Sequence, residues 1–436
     1  MRTTWRVLAG HRDFRLVLAG GVVSQTGDWI LLVGLMYRVY AMTGSTVATG
    51  LTLLSSLVPQ VLLGTIAGVF VDRWDRRRTM IIADLLLAAG LLPLLAVHGA
   101  GQVWIVCAVL AWEAAVEQLF TPAQLAFIPA LVPEDRLVAA NALNGQVSDV
   151  SRLAGSGLGG LIAAVGGLTA VTLSDAASFL VSAGLLVLVR ARVPAGARAR
   201  SQAPGQPEPE PGERLKAIGS ELRDGLRLAA KHPFLRALLL YGLITSVGEN
   251  IMLTLFAPFV REVLHGTSED YGLVNAAQAI GGIVGGLFAV SPSQRFSATR
   301  LFTVSAVVFG VIDLGIFLYP LGYVALWPAI VGMVVVGLPS ALNLAALITL
   351  FQQSTEDAYR GRIFGAMSAV FSVGALAGPL AGGYLSGALG IVPVIAVQGA
   401  GYVLAGLAMT IALRSSDPAP RPASPQIAKG RLISYN

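Results

Sequence analysis

The sequence predicts an all-α membrane protein with twelve transmembrane helices in two parallel six-helix repeats. Hydrophobic residues make up 55% of the 436 residues and charged residues only 12%, whereas a soluble domain carries roughly 25% charged residues. Apolar stretches of about 20 residues, long enough to cross a bilayer, recur along the whole chain. Residues of the first half also recur in the second half at a nearly constant distance, as parallel repeats require.

The duplication is visible at single positions. Six residues recur 222 positions later, where Gly44, Gly50, Leu51, Gly64, Arg73 and Arg78 are repeated as Gly266, Gly272, Leu273, Gly286, Arg295 and Arg300. Four glycines recur 223 positions later, where Gly155, Gly159, Gly160 and Gly167 are repeated as Gly378, Gly382, Gly383 and Gly390. An even number of spans in each repeat gives both halves the same orientation in the membrane.

Hydropathy places the spans in order along the chain. They are predicted at residues 16–39, 46–71, 79–98, 102–123, 140–165, 168–190, 234–261, 269–290, 300–319, 323–350, 361–386 and 392–413. These spans give four regions, which are an N-terminal bundle (1–190), a linker (191–232), a C-terminal bundle (233–414) and a tail (415–436). The composition of the linker is typical of a flexible connection. Apolar residues at helical spacing in 213–231 predict an amphipathic helix on the membrane surface. The alternative is that this segment only connects the two bundles. The tail is predicted to be disordered.

The distribution of positive charge predicts the orientation. Nearly all of the 30 Lys and Arg residues fall in the termini and in every second loop. The positive-inside rule then places both termini in the cytoplasm, in a plasma or inner membrane. The net charge of +6 therefore reflects topology, and we expect no nucleic-acid partner.

Composition also argues against an enzyme. The chain has one cysteine, Cys107, its four histidines lie in or beside predicted loops, and it has no Walker A lysine or serine nucleophile motif. We expect no cofactor and no metal. Proton chemistry inside the membrane would then depend on carboxylates, because no other titratable group suited to neutral pH lies at that depth.

The loop after the second span carries a specific motif. Residues 68–78 read Gly-Val-Phe-Val-Asp-Arg-Trp-Asp-Arg-Arg-Arg, which resembles the loop motif of the major facilitator superfamily of transporters. Span count, duplication and linker extend this resemblance over essentially the whole chain. In the family the glycine of this motif allows close helix packing, and its aspartate and arginines form a charge network that holds the two halves together. The resemblance implies the packing role for Gly68 and the charge network for Asp72, Arg73, Arg76 and Arg77. Asp75 stands where the family has a glycine, and the alternative reading is a basic cluster that only sets topology.

Two further segments are similar to the drug:proton antiporter branch that includes macrolide and siderophore exporters. They are the opening Ser-Gln-Thr-Gly-Asp-Trp at 24–29, followed by Thr-Gly-Ser at 43–45, and Arg-Gly-Arg at 360–362. The arginine that many exporters of the family carry in helix four is absent. A coupling scheme built on that arginine does not transfer to this chain.

Glycine clusters mark helices five and eleven. Small residues at a spacing of four allow close backbone approach, which is the packing role predicted for Gly155, Gly159, Gly160, Gly378, Pro379, Gly382 and Gly383. The family's export-associated motif has Gly-Pro followed by Gly-Gly in helix five. Here the proline lies in helix eleven and Ser156 takes its place in helix five, so generic packing remains the alternative to an export signature.

Acidic residues at membrane depth are the candidate coupling groups. Burying them is costly unless they are paired, neutralised or in contact with water. The resemblance places helices one, four, seven and ten around a central cavity, and four acids fall there, namely Asp28, Glu113, Glu117 and Glu249. Crowded or desolvated carboxylates take up protons near neutrality, so we interpret these four as the proton-coupling and substrate cavity.

The remaining residues of interest have other expected roles. The aromatic residues Trp29, Trp112 and Phe120 are interpreted as cavity-lining side chains, with ordinary helix packing as the alternative. Three acids, Asp84, Asp175 and Asp313, lie in helices three, six and nine, which the resemblance places outside the cavity. Asp149 and Arg152, three residues apart, are predicted to form an ion pair.

The function predicted from these features is secondary active export. Protons would move inward and a lipophilic compound outward, in a monomer that works by alternating access. The excess of acids over bases in the cavity helices favours a cationic compound. A proton-coupled importer of a small solute and a non-transporting membrane receptor or scaffold are the alternatives, because a fold does not set function.

Overall fold

The structure is a computed structural model that describes residues 11–71, 74–191, 223, 227, 233–353 and 360–415. Within these residues the chain is helical and contains no β-strand, which confirms the all-α fold class. The predicted surface helix at 213–231, apart from residues 223 and 227, and the predicted tail at 416–436 lie outside the described residues.

The first half consists of long helices joined by short connections. Four are α1 (Arg12–Thr43), α2 (Thr46–Val71), α3 (Arg76–Leu91, extended by a 3-10 turn at Leu92–Ala96) and α4 (Val103–Phe127). A further helical segment, Leu137–Val187, is broken at Gly167, where φ is 59° and ψ is −152°. We name its two parts α5 (137–166) and α6 (168–187).

The second half repeats this order. Its helices are α7 (Pro233–Pro258, continued by a π-turn at Phe259–Val263), α8 (Ser268–Arg295), α9 (Ala298–Leu318), α10 (Trp327–Gln353), α11 (Arg360–Leu389) and α12 (Val397–Ser415), the last preceded by a short turn at Ile391–Ile395. Gly390, between α11 and that turn, has φ 87°. Gly167 and Gly390 are a duplicated pair, and both adopt backbone angles that glycine tolerates best.

Ten helical segments within the described residues are long and apolar enough to cross a membrane. One of the ten, Ala139–Val187, runs across the break at Gly167, and α8 is not among them. The chain is therefore a multi-pass membrane protein, and the count of twelve spans stays a prediction.

Helix packing repeats between the halves. In the first half α1 packs on α5 and α6, α2 packs on α4, and α3 packs on α4 and α6. In the second half α7 packs on α11 and α12, α8 packs on α10, and α9 packs on α10 and α12. Each of these pairs matches the pair six helices earlier. The two halves meet where α2 packs on α11 and α5 packs on α8. These two contacts are also equivalent under the repeat, so the halves are related by an approximate two-fold axis.

The duplicated glycines lie where helices of the same half cross. A Cβ atom on Gly155 would lie 2.5 Å from the carbonyl oxygen of Thr26 in α1, and one on Gly378 would lie 2.5 Å from Asn250 Cβ in α7. Gly159 and Gly382 repeat this contact one turn later, against Ile30 and Ile251 and the residues around them. These four glycines let α5 and α11 pack closely on the first helix of their own half.

The next glycine in each cluster faces the other half. A Cβ atom on Gly160 would lie 2.5 Å from the Ser268 carbonyl oxygen in α8, and one on Gly383 would lie 3.1 Å from the Thr46 carbonyl oxygen in α2. The Thr46 hydroxyl also donates a hydrogen bond to the Gly383 carbonyl oxygen at 2.9 Å. The two halves thus touch backbone to backbone at two equivalent points. Pro379 joins the second point, since its carbonyl would lie 2.5 Å from a Cβ atom on Gly50.

Candidate functional site

Three carboxylates from three helices meet in the middle of the first half. Asp28 of α1, Glu113 of α4 and Asp175 of α6 each place one carboxylate oxygen within 4.8 Å of the other two. Asp28 and Glu113 were predicted to face the cavity, whereas Asp175 was assigned to a helix outside it. The structure instead places Asp175, which is 0% exposed, at the centre of the group. We call these three residues the carboxylate cluster.

A glycine in α1 makes this meeting possible. A Cβ atom on Gly27 would lie 2.3 Å from Asp175 Oδ1 and 2.1 Å from Ser178 Oγ, so only a residue without a side chain fits there. The Ser178 hydroxyl donates a hydrogen bond to Asp175 Oδ1 at 3.2 Å. Gly27 therefore lets α6 approach α1 closely enough for Asp175 to reach Asp28.

The cluster is not neutralised by basic residues. One oxygen of each of the three carboxyl groups is buried without a hydrogen bond, and within the described chain none of them forms an ion pair. Glu117, one turn along α4, adds a further charge that acts on Asp28 and Asp175. Two charges 4.8 Å apart repel by about 3 kcal/mol at an effective dielectric constant of 20. The cluster consequently favours uptake of positive charge.

Glu249, the fourth predicted acid, lies in a different cavity inside the second half. The Tyr402 hydroxyl of α12 donates a hydrogen bond to Glu249 Oε1, and the buried Asp313 of α9 lies close enough to repel it. The surrounding cavity has a volume of about 220 Å³ and is lined by Tyr241, Thr245, Glu249, Phe309, Ser340, Asn343, Leu344, Leu347, Phe371 and Tyr402. All of these residues belong to the second half. The structure thus separates Glu249 from the carboxylate cluster.

The three predicted aromatic residues take part in helix packing. Trp29 lies against α5, where a Cβ atom on Gly155 would be 2.5 Å from Trp29 Cβ. Trp112 is 46% exposed, its ring covers Gly90 of α3, and its indole N–H donates to the Leu86 carbonyl oxygen at 3.2 Å. Phe120 packs against the apolar core. Trp112 in particular occupies the groove between α3 and α4.

Arginine side chains after α2 form hydrogen bonds with backbone carbonyls at the ends of other helices. Asp75 begins α3 by accepting a hydrogen bond from Arg78 N at 2.8 Å. Arg76 donates to the Ala126 carbonyl oxygen at 2.7 Å, near the end of α4, and Arg77 donates to the Leu186 carbonyl oxygen at 2.8 Å, at the end of α6. The last carbonyls of a helix lack partners within it and carry partial negative charge, so arginines stabilise them.

These arginine bonds differ from the latch that the resemblance implies, because they join helices within the first half. Gly68 lies inside α2, while Asp72 and Arg73 lie outside the described residues. The predicted pair of Asp149 and Arg152 has its closest atoms 4.0 Å apart, and the Asp149 side chain is 60% exposed.

The halves are also joined at the opposite end of the bundle. The Tyr37 hydroxyl, near the end of α1, donates to the Gly266 carbonyl oxygen at 3.0 Å. The Arg261 guanidinium lies 5.7 Å from the centre of the Tyr37 ring, and the Tyr271 ring lies 6.1 Å from it. This group, which we call the Tyr37 seal, joins the two halves on the side away from Arg76 and Arg77.

Comparisons with known proteins agree with this architecture. The family model described as "Transmembrane secretion effector" matches residues 3–429. The chain is 24% identical over 367 residues to macrolide efflux protein A of Streptococcus pyogenes, covering 83% of this chain and 86% of the relative. It is 28% identical over 385 residues to the multidrug efflux pump Tap of Mycolicibacterium fortuitum, covering 84% of this chain and 88% of the pump.

Solved structures show the same fold. A bacterial homologue of the iron transporter ferroportin, in an inward-facing state, superimposes with a TM-score of 0.71 at 15% identity, over 92% of this chain and 98% of that one. A D-xylose–proton symporter superimposes with a TM-score of 0.66 at 16% identity, over 91% and 96% of the two chains.

Proposed function

The chain belongs to the major facilitator superfamily, as a transmembrane secretion effector, and we propose that it exports lipophilic compounds in exchange for protons. It is a membrane transporter rather than an enzyme. The observation that carries the proposal is the carboxylate cluster, three acids within 4.8 Å and without a basic partner among the described residues. Export, proton coupling and substrate class are the parts that we propose.

The cluster supports a proton-binding role through electrostatics. Mutual repulsion makes the fully ionised state of Asp28, Glu113 and Asp175 unfavourable, so a proton shared among them lowers the energy. A proton that moves inward down a pH difference of one unit releases about 1.4 kcal/mol, enough for roughly tenfold accumulation of a solute. A membrane potential of 100 mV adds about 2.3 kcal/mol when the exported compound is uncharged, and adds nothing when one proton is exchanged for one monovalent cation, because no net charge then moves. Glu117, one turn along α4, would hold the proton as it leaves.

The contacts between the halves support a mechanism of alternating access. Gly160 and Gly383 form two close contacts between halves, about which the bundles can rock, and the Tyr37 seal closes one end. The positive-inside rule places that end outside the cell and both termini in the cytoplasm. The structure would then be the state that accepts a compound from the cytoplasm, which is where an exporter starts its cycle.

The substrate class rests on the named relatives and on charge. Macrolide efflux protein A and the Tap pump are efflux proteins by name, which favours export of a lipophilic compound by this chain too. Buried acids without basic partners favour a cationic one. We propose that the protein acts as a monomer in the plasma or inner membrane, and no observation favours import.

Proteoliposomes test both direction and coupling. Adding ethidium or erythromycin to acid-loaded vesicles that contain the full chain should raise the internal pH, because protons leave as the compound enters. The double variant Glu113→Gln with Glu117→Gln should lose this response, while Asp135→Asn, at a 77% exposed side chain, should keep it. A fall in internal pH would indicate cotransport and contradict export by exchange. An unchanged response in the double variant would remove both residues from coupling.

A further inference from the structure

We propose that the cavity around Glu249 binds the cationic amine of the exported compound, either a protonated tertiary amine or a quaternary one, apart from the carboxylate cluster that carries protons. This inference rests on the proposed function and divides it between the halves. The cavity lies entirely in the second half and encloses a volume of about 220 Å³.

The charge inside this cavity is negative and uncompensated. Glu249 is exposed to the cavity although it lies in the middle of α7. Among the described residues it forms no ion pair, and the buried Asp313 nearby adds a second acid. A cation entering the cavity would therefore find an acceptor that no part of the described chain already neutralises.

Three other polar side chains of the lining, Tyr241, Asn343 and Thr245, already have partners. The Tyr241 hydroxyl donates to Asn343 Oδ1 at 2.9 Å, and Asn343 Nδ2 donates to the Phe302 carbonyl oxygen at 3.2 Å. Thr245 donates to the Tyr241 carbonyl oxygen at 2.9 Å. Tyr402 bonds only one oxygen of Glu249, so the second oxygen is the acceptor left for a ligand.

The walls fit an alkylated amine better than a hydrated metal ion. Phe309 and Tyr402 have their ring centres 4.3 Å apart, and Phe371 packs on α7 at Gly242 and also lines the cavity. Aromatic rings attract organic cations through their π faces, whereas hard metal ions require several oxygen ligands. One carboxylate among rings therefore selects a tertiary or quaternary amine.

The size of the cavity limits what enters. Pockets for whole drug-sized molecules measure roughly 300–1,000 Å³, and this one measures about 220 Å³. It holds one end of such a molecule. The rest would lie between the two halves, so the compound bridges them during transport.

Binding of a defined cation tests the proposal directly. The probe is radiolabelled benzyltrimethylammonium, measured on the purified full chain in lipid nanodiscs, with neopentylbenzene as its uncharged isostere. Glu249→Gln should weaken binding about tenfold or more, because a desolvated charge loses its partner. Phe371→Leu should weaken it less, Asp135→Asn should leave it unchanged, and neopentylbenzene should compete poorly.

The outcomes separate this inference from the proposed function. Binding to Glu249→Gln with unchanged affinity, absence of binding to the wild type, or equal competition by neopentylbenzene would each overturn the amine site while leaving proton-driven export intact. Conversely, loss of cation binding in Glu249→Gln together with no pH response in the vesicle assay would support the site and contradict export. If the Glu249→Gln variant cannot be purified, Tyr402→Phe and Phe371→Leu take its place in the binding measurement. Unchanged affinity of both variants for benzyltrimethylammonium would contradict the amine site.

Discussion

The two halves hold the same helix crossing but different chemistry. Gly27 and Asp28 of α1 correspond to Gly248 and Glu249 of α7, 221 positions later. Gly27 faces Asp175, whereas Gly248 faces Gln398, whose Cα would lie 2.9 Å from a Cβ atom on the glycine. In the duplicated unit the glycine and the acid beside it are present twice, while the facing side chain is an acid in one half and an amide in the other.

This single difference separates the proposed roles. An amide does not bind a proton near neutral pH, and Gln398 Oε1 is buried without a hydrogen bond among the described residues. The position that faces Gly248 therefore adds no acid to Glu249 and the nearby Asp313, and Glu249 lines a cavity. A duplicated scaffold can thus carry proton binding in one copy and solute binding in the other.

The largest expected effect comes from making the two halves alike at this position. Asp175→Asn should abolish accumulation driven by the pH gradient, about tenfold per pH unit when one proton is exchanged for one cation, because the cluster loses one of its three acids. Gln398→Leu should keep accumulation, since the side chain it replaces does not titrate. Uptake of ethidium into acid-loaded proteoliposomes measures both. Equal losses in the two variants would mean that the position serves packing in both halves, and the comparison would fail.

A smaller effect is expected at the contact between halves. Gly160→Ala places a methyl group 2.5 Å from the Ser268 carbonyl oxygen and should cost about 1–3 kcal/mol through overpacking, with transport slowed about tenfold. Gly157→Ala is the matched control, because its Cβ atom would lie 3.7 Å from Ala276 Cβ. Thermal unfolding and initial transport rates measure the pair. Identical behaviour of the two variants would contradict a close contact at Gly160.

The smallest effect concerns the Tyr37 seal. Tyr37→Phe removes one hydrogen bond, worth about 1 kcal/mol, and should make the closed end open about fivefold more often. Tyr319→Phe is a matched control, because its hydroxyl bonds Ala325 within one loop of the second half. Labelling of a cysteine introduced at Ser45, in a chain with Cys107 replaced, reports the opening. Unchanged labelling in Tyr37→Phe would show that the contacts of the Arg261 guanidinium and the Tyr271 ring with residue 37 suffice to close this end.

The fold followed from the sequence because its signals are local and repeated. Span length and hydropathy do not depend on distant contacts, and the paired glycines mark crossings that any six-helix copy must build. The duplicated Gly160 and Gly383 were predicted only to allow close helix packing, and the structure shows that the helices they bring together belong to different halves.

The site was only partly predictable, because the facing direction of a side chain depends on neighbouring helices. Depth in the membrane marked Asp28 and Glu113 as candidates, and the structure brings their carboxylates together, while their role in proton coupling stays a prediction. The resemblance assigned Asp175 to a helix outside the cavity, whereas the structure places its carboxylate beside the other two. Gly27, against which Asp175 and Ser178 lie, carries no signal of that neighbour in the sequence. The sequence likewise gives no indication that the Trp112 side chain faces α3.

The bonds of Arg76 and Arg77 have a mechanical consequence. They tie the beginning of α3 to the ends of α4 and α6, so the membrane-edge termini of three helices cannot swing independently. In the proposed alternating access, a rotation of one of these helices would therefore move the other two, and the first bundle would turn as a unit. Free energy released by proton binding at the carboxylate cluster would then rotate the first bundle and would not bend individual helices.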